Sequence, residues 1–105
     1  MRARVMDSRG RVRIRLMNLD LPGADLIAEG LRDLASGRDT VAALLVMIGA
    51  PRLRELGLPV PTGDAGAEHR LYHRLAADDV LTAHSRYNAL IRRLVSFERA
   101  AACAG

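Results

Sequence analysis

From Ala67 to Ala104 the chain contains neither glycine nor proline. Over more than a third of its length, then, no backbone breaker stands against one continuous α-helix. The apolar phase does. Leu71, Tyr72 and Leu75 set one stripe, whereas Val80, Tyr87, Ile91 and Leu94 set a second that does not continue it. Asp78 and Asp79 stand at the slip, and aspartate is a favoured helix N-cap because its carboxylate accepts from the free N–H groups of a first turn. The pattern predicts two helices with a break at Asp78–Asp79.

Upstream, Asp20 can cap a helix entered through Pro22, with Ala24, Ile27, Ala28, Leu31, Leu34 and Ala35 as its apolar stripe and Gly37 as its stop. Asp39 or Thr40 can cap a second helix from Val41 to Ile48, apolar nearly all round and therefore central. Pro51 opens a short helix through Leu56, stopped by a left-handed Gly57. Leu58 to Gly66, rich in proline and glycine, reads as a loop. The apolar content is Leu, Ala, Val and Ile, with Tyr72, Tyr87 and Phe97 the only aromatics, which suits packed helices better than sheets. The expected fold is all-α, a small bundle of four or five helices over residues 17–105. At 105 residues one core is feasible, burying roughly 60 to 70% of the unfolded surface.

Residues 1–16 differ in kind. They carry six arginines against the single acid Asp7, a net +5, while the rest has ten arginines against eleven acids, a net −1. The whole-chain charge of +4 therefore belongs to an arm. Every basic residue is arginine, a bias that GC-rich coding explains before selection for phosphate contacts does. From Arg11 to Leu16 arginines alternate with aliphatics at strand period, and Asp7, Ser8, Arg9, Gly10 before them form a turn sequence. A short basic β-hairpin follows, or a disordered arm, since an unsupported two-stranded hairpin is marginal in water. Met17, just before the first cap, is an alternative start that would remove the arm.

The run Met6, Asp7, Ser8, Arg9, Gly10, Arg11, Val12, Arg13, Ile14 resembles the Asp-Ser-x-Gly-Arg-Val-x-Ile turn and strand of AbrB-type swapped-hairpin DNA-binding domains, which include many antitoxins. The resemblance covers about a dozen residues, departs at Arg15 where that family has proline, and lacks the second half of its strands. It implies a dimer in which Arg9, Arg11, Arg13 and Arg15 contact DNA.

Glu68, His69 and His73 gather at the start of the fourth helix, and histidines at i, i+4 face one way as a metal site needs. The third histidine, His84, lies eleven residues after His73, about 16 Å along a straight helix. They share an ion only if the chain folds back at Asp78, so neither metal nor cofactor is expected. On the last helix Leu81, His84, Asn88, Ile91 and Val95 fall at 3 and 4 spacing, placing a histidine and an amide among aliphatics. His84, Asn88 and neighbouring Tyr87 are candidates for a hydrogen-bonded core pair or a polar partner site. Arg86, Arg92, Arg93 and Arg99 take the other, solvated face.

No nucleophile elbow, phosphate-cradling glycine loop or cysteine cluster is present, and Cys103 stands alone near the end. A lone thiol makes a reducing, cytoplasmic setting the default. The longest apolar run, Val41–Ala50, is about half the roughly 20 residues of a membrane span. The expected function is a small cytoplasmic protein-interaction module without catalysis, an adaptor, regulator or antitoxin-like partner, binding another protein or itself as a homodimer. The alternative is a nucleic-acid-binding regulator working through residues 1–16.

Overall fold

A computed structural model describes residues 21–61 and 65–104. The basic arm, including Arg9, Arg11, Arg13 and Arg15, lies outside the described residues. Those described form five helices and no strand: α1 (Ala24–Ala35), α2 (Val41–Ile48), α3 (Ala50–Glu55), α4 (Ala67–Asp78) and α5 (Ala83–Ala104). The expected all-α bundle is what the chain builds. None of the described helices is long and apolar enough to cross a membrane.

Helix α2 is central, packed by α1, α3, α4 and α5. Its run Ala42, Ala43, Leu44, Leu45, Val46 is buried on all sides, as an all-apolar helix requires. Ile27 of α1, Leu53 of α3, Leu71 and Leu75 of α4 and Phe97 of α5 complete the core. Gly30 lets α1 reach α2 closely, because a Cβ there would collide with the Ala42 carbonyl and the Val46 side chain.

Helix α1 starts later than expected. Pro22 sits in the preceding turn, Gly23 takes a left-handed φ of 76° as N-cap, and among the described residues no side chain caps the helix; the candidate cap Asp20 lies outside them. The Ala24 N–H bonds to the Leu21 carbonyl at 3.1 Å, so the turn itself supplies the acceptor. Between α1 and α2 the cap is Thr40, whose Oγ1 accepts from the Ala43 N–H at 3.2 Å. Asp39, the other candidate cap, instead pairs with Arg70 and Arg74 of α4 at 3.2 and 3.8 Å.

Helices α1 and α3 end in the same way. After α3, Gly57 at φ 94° sends its N–H to the Arg54 carbonyl, and Leu58 N–H returns to Leu53, burying both leucines. After α1, Gly37 N–H bonds to Leu34 and Arg38 N–H to Asp33, but here the closing side-chain contact is the Arg38–Asp33 ion pair.

The break between α4 and α5 falls where the phase slip placed it. Asp79 adopts an extended backbone, and its Oδ1 accepts from the Leu81 N–H at 3.0 Å. It shapes the turn and does not cap α5, which begins at Ala83. The core seam of α5 differs from the expected stripe. Ala83, Leu94, Phe97 and Ala101 are buried, with Tyr87, Leu90 and Ile91 partly so, while Leu81 and His84 are exposed. Leu81 precedes the helix and cannot share its phase, and the small residues Ala83 and Ala101 hold the seam because they permit close approach.

Candidate functional site

Two surfaces meet on α5. The first is an open groove of about 380 Å³ between α5 and the α2–α3 junction. Gly49 creates it by serving both helices: its N–H closes α2 on Leu45, and its carbonyl receives Leu53 N–H at the start of α3. A Cβ at Gly49 would lie 2.9 Å from Leu94 Cδ1 and 3.0 Å from Glu98 Oε2, so a bare backbone forms the groove's inner wall. Ile48, Pro51, Ile91, Leu94 and Val95 make its apolar lining, and Arg52, Glu68, Tyr87, Asn88 and Glu98 its polar one.

Burial against this wall pushes the Glu98 carboxyl above its ordinary value, and Arg52 offsets that in part. Burial also raises the Tyr87 phenol, with the negative charge of Glu68 adding to the effect. Tyr87 therefore stays protonated as a hydrogen-bond donor, and Glu98 presents an incompletely solvated acceptor. Two carboxylates beside an aromatic ring suit a guanidinium or ammonium group.

Of the candidate polar residues, Tyr87 and Asn88 line the groove and His84 does not. Instead of lying among aliphatics, His84 is exposed, with Nε2 3.2 Å from Asn88 Nδ2, so the amide donates when that ring nitrogen is bare. Its ring packs against Tyr72 with centroids 6.5 Å apart, and Tyr72 reaches Tyr87 at 5.6 Å. Glu98, Arg52 and Gly49 escaped notice in the sequence, because only tertiary packing brings a helix junction to the far half of α5.

The second surface is the α4–α5 corner. Val80 is 71% and Leu81 91% exposed on the connecting turn, and Tyr72 is 37% exposed one helix back. His69 and His73 stack edge to face at 4.4 Å on α4. The chain does fold back after Asp78, yet among the described residues no three His, Cys, Asp or Glu side chains are grouped to hold a metal ion.

On its opposite side α5 lines a further groove, about 460 Å³, with Ala89, Arg92, Arg93 and Ser96 facing Pro22 and Gly23. Arg93 bonds to Asp25 at 3.3 Å and Arg86 to Asp78 at 2.7 Å, so part of the arginine face braces the fold. No protein-family model matches the chain, and no curated protein or solved structure matches it.

Proposed function

We propose that this protein is a helical interaction module that binds another polypeptide, a second copy of itself included, through the α4–α5 corner. The observation that carries the reading is the exposure of Leu81 and Val80 side by side on one turn, 91% and 71%. Burying one such side chain contributes about 1.5–3 kcal/mol, a gain this fold leaves unused. Single exposed aliphatics are ordinary, but two adjacent ones, three to four residues before a His84 that packs on Tyr72, support a contact surface. Asp79 supports the reading by holding the turn through the Leu81 N–H. The test is sedimentation velocity together with affinity capture, comparing the full chain with a Val80→Asp, Leu81→Asp variant. Self-association or a co-purifying protein present in the first and lost from the second is expected. Identical behaviour of the two overturns the reading.

A second reading, nucleic-acid binding through Arg9, Arg11, Arg13 and Arg15, draws support from the groove beside the arm's attachment. Pro22 and Gly23 face Arg92, Arg93 and Ser96, so the +5 arm joins the body next to further arginines. Affinity for DNA or RNA would then fall steeply with salt, through release of condensed counterions. Fluorescence anisotropy at low salt, with those four arm arginines changed to alanine as the comparison, decides it.

A further inference from the structure

The groove at Gly49 points to an occupant within the same chain. We propose that the basic arm, through residues 11–16, docks in this groove in cis, its arginines pairing with Glu68 and Glu98.

Three observations carry this. The first is charge. The groove holds two carboxylates against one arginine, and the arm is the one strongly basic segment, six arginines against one acid. Among the described residues Glu98 makes no hydrogen bond or ion pair, and packing near Gly49 buries its carboxylate in part. A guanidinium would supply charge-assisted donors on the shielded side of that carboxylate.

The second is pattern. Arg11, Arg13 and Arg15 alternate with Val12, Ile14 and Leu16. An extended segment therefore offers the groove charges for Glu68 and Glu98 on one edge and aliphatics for its apolar wall on the other.

The third is reach. The chain joins the body beside the turn of α5 that precedes Glu98: a Cβ at Gly23 would sit 3.0 Å from the Arg93 carbonyl and 3.4 Å from Phe97 Cβ. Residues 16–20, if extended, would span roughly 17 Å, about the half-circumference of the roughly 10–12 Å-wide helix they must go round. The consequence is an arm whose arginines are held against the body until a more strongly anionic partner competes for them. The inference does not depend on the α4–α5 corner, and it stands or falls separately from that surface.

Cys103, exposed and the only cysteine, lies five residues beyond Glu98 on α5 and takes a nitroxide label without any substitution. The experiment records amide spectra of the labelled full chain with the nitroxide oxidised and then reduced. Selective loss of the amide signals of residues 11–16 in the oxidised state is expected, unchanged on dilution, and reversed both in a Glu68→Gln, Glu98→Gln variant and in the unaltered chain at 1 M salt, where the Debye length shrinks to about 3 Å. Arm signals untouched by the label overturn the proposal. So does broadening that weakens on dilution, which would place the arm of a second copy there, and so does broadening that survives both the variant and salt.

Discussion

Thr40 Oγ1 donates a 2.6 Å hydrogen bond to Asp33 Oδ2 while accepting from the Ala43 N–H, so the cap of α2 is itself held by a side chain of α1. Asp33, only 6% exposed, also takes Arg38 Nη2 at 3.1 Å on its other oxygen, and its carbonyl closes the end of α1. One buried carboxylate thus ties together the stop of one helix and the start of the next. Replacing Asp33 with alanine leaves the Thr40 hydroxyl and the Arg38 fork without their partner, and should cost about 1–3 kcal/mol in urea unfolding. Thr40→Val removes the cap and leaves Asp33 Oδ2 without its donor, with a cost of similar size, and the double variant should cost less than the sum of the singles. Arg38, 65% exposed, should contribute under about 1 kcal/mol.

Gly30→Ala should destabilise the protein. In an exposed helix interior this change usually stabilises by roughly 0.5–1 kcal/mol. Here the added methyl meets the Ala42 carbonyl and Val46 in the α1–α2 contact, and backbone must move. A loss of about 1–3 kcal/mol in chemical unfolding is expected, the range for overpacked cores. A gain would show that the helices are not in this close contact.

Glu98 should make the protein less stable as pH rises through the acid range. Its carboxyl is raised in the fold, so the folded state binds its proton more tightly than the unfolded chain does. The resulting penalty is absent below the ordinary value near 4.5, grows above it, and is complete above the raised folded value. Glu98→Gln removes the ionisation, so its stability relative to the native chain should be greatest at neutral pH, decline as pH falls from the raised folded value to the ordinary one, and stay level below that. Thermal melts of both proteins at 1 M salt, where no arm arginine is held at Glu98, between acid and neutral pH measure this, and a difference that does not change with pH would contradict it.

Val80→Asp and Leu81→Asp should each alter stability by no more than about 0.5 kcal/mol, since neither side chain is part of the core. Phe97, 1% exposed at the centre of α5, is the contrast: Phe97→Ala should cost about 3–5 kcal/mol. Thermal or urea unfolding of the three variants gives the comparison, and it shows that any binding defect at the corner is not a folding defect.

Local chemistry sufficed for the helix ends that depend on neighbouring residues. Thr40, Gly37, Gly57 and the Asp78–Asp79 break act within a few residues of themselves, and each is where periodicity and capping placed it. Asp20 lies outside the described residues, among which Gly23, with its left-handed backbone, is the N-cap of α1. The α5 seam lies about one residue from the stripe that Leu81, His84, Asn88, Ile91 and Val95 mark, and it includes Ala83 and Ala101, whose small side chains carry little weight in an apolar pattern. Tyr87 and Asn88 were legible as polar residues on a mostly apolar helix, but their groove was not.

The sequence by itself determined an all-α body near neutrality and a separately basic arm, because helix phase, breakers and charge are properties of consecutive residues. Only the tertiary structure decided that Gly49 meets Leu94 and Glu98, that Asp33 holds Thr40, and that Val80 and Leu81 remain outside the core. The contact of Gly49 with α5 depends on how closely helices approach across a long stretch of chain. That distance is set by the volumes of the small residues between them, which no local pattern records.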